Sequence, residues 1–322
     1  MSLIGVAKIL KIDQKINGSK VDSGRMRVNR NYNWDTRIPD IDAIYYEQGN
    51  ELKKLESVKG GRWRIEGPTG CGKTMLAEYF AAKNRLPLFT VQGRYTLNPA
   101  DLIGRPTIVG NEVMWIDGTL TKALLCSQER ECVLLIDEIN RMEPRSQAIL
   151  LEAADYRCQI TIETTDEVVK GEPSNIHIIA TLNRGGEYFV NRLDAAVEGR
   201  FSVILLDYLG LRNKEAEIEL LIERCGVKYE LAELLVSCAN KIRIEAKSGK
   251  SIITVGIPTR NLINWASLTL VYSKRRIGEN PIVEAAKDAV VDALYEGQTK
   301  TTVMQIVLSM CDLPRSEIEQ VI

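Results

Sequence analysis

The chain has 322 residues, with 42 lysines and arginines against 43 aspartates and glutamates, a formal net charge of −1 and 45% hydrophobic residues. This is the balance of an ordinary globular chain of one or two domains, and it excludes a global basic surface that would hold nucleic acid by counterion release. No apolar run is long enough to cross a bilayer, and the opening MSLIGVAKILKIDQK has too short an apolar core for a secretory signal, so a cytoplasmic location is expected.

Residues 1 to about 35 are polar, with short apolar patches at Leu3–Val6 and Lys8–Ile12, and read as an arm or a small strand pair. From about 55 to 207, short apolar or β-branched runs alternate with helical patterns, which predicts an α/β domain with a parallel sheet. Strands are expected at Trp63–Glu66, Leu88–Gln92, Cys132–Ile136, Ile176–Thr181 and Val203–Leu206. Helices are expected at Lys73–Asn84, Thr119–Ser127, Arg145–Asp155 and Arg192–Glu198. Two insertions interrupt the alternation. Asn98–Gly118 carries Gly104, Gly110 and Trp115, and Arg157–Lys170 reads as a β-hairpin, with Cys158–Ile162 and Glu167–Val169 flanking a Thr-Thr-Asp turn.

Beyond about 211 the pattern becomes helical. Asn213 caps a helix with apolar positions Ile218, Leu221, Ile222 and Cys225, ended by Gly226. Leu231, Leu234, Leu235, Cys238, Ala239 and Ile242 form one stripe of the next. Pro258 starts a third, with Leu262, Trp265, Ala266 and Leu270 inward, and further helices fall near 282–295 and 302–311. With a boundary near Leu209–Leu211, the chain divides into an arm (1–40), an α/β domain (41–209) and a smaller all-helical domain (210–322).

Seven cysteines without a C-x-x-C pair read as reduced, mostly buried thiols. The single histidine, His177, sits in the apolar run Asn175–Ala180 and reads as a satisfied core or strand-edge residue. One histidine removes most zinc sites and every histidine-based triad.

Gly67, Pro68, Thr69, Gly70, Cys71, Gly72, Lys73 and Thr74 spell G-x-x-x-x-G-K-[ST] between the first strand and a helix with Met75, Leu76, Tyr79 and Phe80 on one side. That context marks a phosphate-binding P-loop. The glycines let successive backbone N–H groups turn toward phosphate oxygens, and the helix start adds its positive dipole end. Lys73 has the reach for the β- and γ-phosphates, and the Thr74 hydroxyl suits Mg²⁺. Downstream, Val133–Glu138 is an apolar strand ending in two acids. Asp137 fits the metal-binding position and Glu138 the group that polarises the attacking water. Asn183 ends the next strand, where an amide suits the γ-phosphate or the water, although a turn asparagine before Gly185 and Gly186 competes. Arg200, ahead of Phe201, reads either as a residue offered to a neighbouring copy or as a complement to its own helix dipole. Arg260, in the first turn after Pro258, opposes the dipole unless an anion lies near.

As a set, these residues resemble AAA+ ATPases of the MoxR group, nearest its CbbQ/NirQ/NorQ and CobS-type members. The matching runs are GPTGCGKT (67–74), DLIGRPTIVGNEVMWIDGTLTKALL (101–125), VLLIDEINRMEP (133–144), ATLN (180–183), RLDAAVEGRF (192–201) and IPTRNLINWASL (257–268). The resemblance implies a P-loop NTPase α/β core followed by a helical lid, binding ATP through Gly67 to Met75 and Arg260. Thr74 and Asp137 would hold Mg²⁺, with Glu138 the catalytic base, Asn183 sensor 1, Arg260 sensor 2 and Arg200 the arginine finger. Glu198 and Gly199 before that arginine depart from the pattern, which leaves Arg184 and Arg192 as alternatives. Asn140 and Arg141 complete the D-E-I-N-R run without an assigned role. The two insertions would face the pore or client of a hexameric ring. A von Willebrand A domain partner is implied, with remodelling, activation or metal insertion into a client protein as the work done. A nucleotide-gated assembly module and a nucleic-acid motor are the alternatives; a small-molecule kinase has no use for a long helical lid, and no N-K-x-D run favours GTP.

Overall fold

The computed structural model describes residues 27–28, 30–40, 45–109, 112–183 and 198–322. Its strands, in chain order, are β1 (Arg27–Val28), β2 (Arg62–Gly67), β3 (Leu88–Gln92), β4 (Gly104–Val109), β5 (Glu112–Asp117), β6 (Cys132–Asp137), β7 (Gln159–Ile162), β8 (Glu167–Lys170), β9 (Ile176–Asn183) and β10 (Ser202–Leu205). Five of them form the central sheet in the order β10-β2-β9-β6-β3, every neighbouring pair parallel. Every residue of β6 is buried, as is β9 up to Thr181. A parallel sheet covered on both faces needs such continuous apolar strands. The faces divide by alternation: Val133 and Leu135 pack in one core, Leu134 and Ile136 in another.

Helices α1 (Glu51–Ser57) and α2 (Lys73–Lys83) cover the first face through Leu52, Leu55, Leu76 and Phe80. After the short α3 (Pro99–Ile103), helices α4 (Thr119–Glu129) and α5 (Pro144–Ala154) cover the second through Leu120, Leu124 and Leu150. Of the expected helix at 192–198, only Glu198 lies within the described residues.

The chain then turns helical: α6 (Leu209–Arg212), α7 (Lys214–Cys225), α8 (Tyr229–Ser248), α9 (Thr259–Arg275), α10 (Pro281–Ala286), α11 (Asp292–Leu294), α12 (Gly297–Cys311) and α13 (Arg315–Val321). A π turn, Lys287–Val291, joins α10 to α11. The Asn213 side chain accepts from the Ala216 amide at 3.1 Å, a cap of the kind that contributes about 1 kcal/mol. Gly226 ends α7 in the left-handed region. Buried members of this helical core start at Ile218, and those of the two sheet cores stop at Tyr208. On α9, Leu270 packs half-buried against this core as expected, and Thr269 is buried beside it, its hydroxyl donating to the Trp265 carbonyl at 2.9 Å. The seam beside Tyr208 carries a buried ion pair. Arg243 binds both carboxylate oxygens of Glu217, donates to the Ile257 carbonyl at 2.8 Å and lies over the Tyr208 ring.

The insertion at 98–118 holds structure that its glycines do not announce. α3 starts on a capping box at Asn98, and β4 and β5 pair antiparallel, with β1 joining β5 in parallel. Arg30, just after β1, pairs with Asp117 of β5 and Glu167 of β8. One guanidinium from the N-terminal segment thereby ties the insertion to the hairpin formed by β7 and β8. Ile108 and Val109 at the β4 tip stay exposed.

All seven cysteines are free, and six are buried. His177 is buried on β9, edge-on to Phe80 with ring centroids 5.1 Å apart, but its Nδ1 finds no hydrogen-bond partner and its Nε2 lies 4.0 Å from Glu131, beyond hydrogen-bond reach, so the expected satisfied histidine is not found. Burial pushes its pKa below the ordinary 6.5, against the pull of Glu131 and with help from Lys59. The unfolded chain therefore binds a proton that the native ring refuses, and native stability falls as pH drops from about 6.5. The slope reaches at most about 1.4 kcal/mol per pH unit. Urea midpoints of His177→Gln, measured between pH 7.5 and 5.5, are expected to show a flatter acid slope than those of the parent.

Candidate nucleotide site

The P-loop joins β2 to α2 at the carboxyl end of the sheet. Gly70 and Gly72 hold φ of 73° and 95°, values that side chains avoid. Gly70 also touches the helical domain: a Cβ placed there would stand 2.5 Å from Cβ of Pro258, the residue that caps α9. Pro68, Thr69 and Met75 are half-buried around the loop, and Cys71 is buried beneath it.

Lys73 is 6% exposed and donates to the Gly67 carbonyl at 3.1 Å and the Pro68 carbonyl at 2.7 Å. Burial pushes its ammonium below the usual lysine range, although Cys71, Asp137 and Glu138 pull the other way. Arg260 adds to the depression, so the two cations feel each other across the seam. Arg260 is exposed in the first turn of α9 and forms no ion pair among the described residues. Its neighbour Thr259 is fixed, donating to Glu217 at 2.7 Å. Two cations brought together at two helix N-termini make a place for an anion.

The register of β6 with β9 sets Ile136 beside Ala180, and that of β2 with β9 sets Gly67 beside Asn183. Asp137 and Asn183 are therefore delivered to the rim where the P-loop begins. Oδ1 of Asp137 accepts from Thr74 at 2.7 Å and from Thr181 at 2.6 Å. The same Thr181 hydroxyl accepts from the Glu138 amide at 2.8 Å. Burial, with Asp137 nearby, raises the Glu78 carboxyl above its usual range. The Thr74 hydroxyl and Asp137 carboxylate are the hard oxygen donors that Mg²⁺ takes, so these residues fit the metal.

Glu138 sits in the left-handed region at φ 54°, ψ 48°, which costs a residue with a side chain roughly 1–2 kcal/mol. Neighbours hold it there. The Gly93 amide donates to the Asp137 carbonyl at 2.6 Å, and a Cβ on Gly93 would come within 2.2 Å of the Glu138 carbonyl. Oε1 of Glu138 accepts from the Asn183 amide at 2.8 Å, and Oε2 pairs with Arg141 at 3.0 Å.

Arg200 stands elsewhere. It precedes β10, whose Ser202 pairs with Trp63 near the start of β2. Strand rise puts that level roughly 13 Å from the P-loop end. Arg200 adds to the pull of the Tyr156 amide and Arg157 that holds the Asp155 carboxyl below its usual range. Arg184 and Arg192 lie outside the described residues.

Four contributors escape the sequence reading. Thr181, Gly93 and Arg141 are described above. The fourth is Gln48, whose side-chain oxygen accepts from the Asp207 amide at 2.8 Å and whose NH₂ donates to the Asp207 carbonyl. It ties the segment before α1 to the seam beneath the P-loop. Tyr45, beside Gly72, and Tyr79 have ring centroids 5.8 Å apart. A threonine interrupting an apolar buried strand was the one visible signal.

A parallel sheet of this order, with a P-loop, an acidic strand end and a helical domain at its rim, defines an AAA-type P-loop NTPase. Residues 64–201 match the AAA domain of the dynein-related subfamily, and residues 217–310 match the CbbQ/NirQ/NorQ C-terminal family. Protein NorQ of Paracoccus denitrificans is 29% identical over 249 residues, 76% of this chain and 87% of NorQ. An uncharacterized protein of Staphylococcus epidermidis is 30% identical over 261 residues, 79% of this chain and 93% of its own length. NtrX from Brucella abortus shares the fold, with a TM-score of 0.50 at 19% identity over 87% of this chain and 60% of that one. The chain belongs to the AAA+ ATPases of the MoxR group, among the CbbQ/NirQ/NorQ proteins. Among the described residues, no helix is long and apolar enough to cross a membrane.

Proposed function

We propose that this chain binds and hydrolyses ATP and uses the cycle to remodel or activate a client protein. The observation that carries the reading is the approach of Lys73 and of Arg260, which pairs with no acid among the described residues, from two separate cores to the rim that holds Thr74, Asp137, Glu138 and Asn183. Lys73 leaves its loop carbonyls for the β- and γ-phosphates, and Arg260 meets the same anion from the helical domain. Mg²⁺, held by Thr74 and Asp137, would supply neutralisation of the charge that develops on the phosphates. The Asn183 amide turns to the γ-phosphate or the attacking water, and Glu138 takes the water's proton.

Residues 41–209 and 210–322 act as two bodies hinged at the seam beside Tyr208. Loss of the γ-phosphate removes the contact with Arg260 and lets the helical body rotate. Arg200, at the level of Trp63, is positioned for a neighbour's nucleotide in a ring, a hexamer by resemblance to the family. The β4–β5 tip and the hairpin of β7 and β8, tied by Arg30, face the client, with a von Willebrand A domain protein as the adaptor. The engaged oxygens of Glu138 support a second reading, in which turnover stays slow until a partner binds. ATPase rates with and without that partner separate the two readings.

Glu138→Gln tests the core of the proposal. It is expected to bind ATP as the parent does while turnover falls by about 10²–10⁴. Turnover equal to the parent's removes Glu138 as the base.

A further inference from the structure

We infer that Arg141 is a positioning residue: it anchors one oxygen of Glu138 so that the other is presented to the attacking water. The inference rests on the ATP-hydrolysing reading of this site. Taken alone, a half-exposed pair three residues apart contributes little to stability. Its surroundings make it more than a solvated pair. Glu138 is rooted by the Gly93 contact and by the bond from its amide to Thr181. Arg141 ends a tight 3-10 turn in which Ile139 is 1% exposed and Asn140 4% exposed. The Arg141 amide closes that turn on the Glu138 carbonyl at 2.9 Å. Both ends of the pair thus rest on fixed backbone.

The two oxygens of Glu138 have different partners. Asn183 holds Oε1, and Asn183 is the residue opposite Gly67 at the start of the P-loop. A γ-phosphate competes for that amide and frees Oε1. Arg141 holds Oε2 with a planar guanidinium that donates hydrogen bonds and accepts none. The carboxylate then cannot swing toward solvent when Asn183 leaves, and Oε1 remains aimed at the position Asn183 vacates. Orientation of this kind is a recognised source of rate, since small misplacements of a reacting group cost about 10²-fold.

The test compares the full-length parent with Arg141→Ala, Arg141→Met, Arg141→Lys and Glu138→Gln. Steady-state ATP turnover is measured beside the affinity of a fluorescent ATP analogue and the melting temperature. Expected is a fall in kcat of about tenfold or more in Arg141→Ala and Arg141→Met, with KM and analogue affinity held within about twofold and part of the loss recovered in Arg141→Lys. The methionine variant keeps the side-chain stem, so loss of packing does not imitate loss of the anchor. If Glu138→Gln is inactive while Arg141→Ala and Arg141→Met turn over at or above the parent's rate, the anchor is wrong and the hydrolysis reading stands. A rise in KM with kcat unchanged also overturns the anchor, because it makes Arg141 a nucleotide contact. If Glu138→Gln turns over as fast as the parent, Glu138 is not the base and the anchor falls while hydrolysis stands; if the parent itself hydrolyses no ATP, both readings fall together.

Discussion

Lys73→Ala is expected to abolish nucleotide binding while leaving the empty protein as stable as the parent. The two halves of this expectation have different causes. The ammonium is buried and pushed below the usual lysine range, with two carbonyls of its own loop as its hydrogen-bond acceptors. Removing it gives up two hydrogen bonds, worth about 1 kcal/mol each, and relieves the cost of holding a charge out of water, which is of similar or larger size. The melting temperature without nucleotide should therefore move by no more than about 4 °C in either direction. With nucleotide the balance tips. The parent at one hundred times its dissociation constant gains about 2.7 kcal/mol. The alanine variant loses the one cation placed deep in the loop, leaving Arg260 alone to meet the phosphates. The ATP-dependent rise in melting temperature should vanish, as measured by thermal scans over a nucleotide titration. A variant that still responds to ATP as the parent does would show that the triphosphate binds elsewhere.

The sites most readable in the sequence are those where one residue type answers one physical need. The five core strands fall within two residues of their expected ends; for β6 and β9 the reason is a continuous apolar run, which suits a strand buried on both faces and little else. The P-loop and Asp137 were legible for a similar reason: strand, glycine turn and helix must follow in that order. The β4–β5 hairpin was not legible. Its segment shows only as an insertion carrying Gly104 and Gly110, while the partner that completes its sheet, β1, lies more than eighty residues away from β5 in the chain. Thr181 is an ordinary strand residue until the register sets it against Asp137. Gly93 looks like any glycine after a strand, and only the fold shows another strand's backbone filling the place of its side chain. Arg141 is hidden by its closeness in sequence, since an acid and a base three residues apart usually belong to a solvated turn. Such residues act through pairings between distant segments, and hydrophobic period carries no record of these.

Arg200 is the residue whose role most needs a second copy of the chain. Its strand begins beside Trp63, at the far end of β2 from the P-loop, so it has no path to its own nucleotide without a change of fold. Arg200→Ala is expected to lower turnover by roughly 10³–10⁵ with little change in nucleotide affinity, the range found for an arginine supplied to a transferring phosphoryl group. A local role predicts otherwise. If Arg200 serves only to pair near Asp155, its loss belongs to stability and appears as a lower melting temperature with turnover nearly intact. Mixing separates the two. Arg200→Ala keeps a working P-loop, and Lys73→Ala keeps a working arginine, so neither hydrolyses ATP alone. In rings assembled from equal parts, a site is competent when an Arg200→Ala protomer meets the arginine of a Lys73→Ala neighbour. Random placement around a closed ring makes about a quarter of the sites competent. Recovered turnover should approach that fraction of the parent's and fall as either variant is placed in excess. Mixtures that stay as inactive as their components, in particles shown by native mass measurement to contain both variants, would place the decisive arginine elsewhere in the chain.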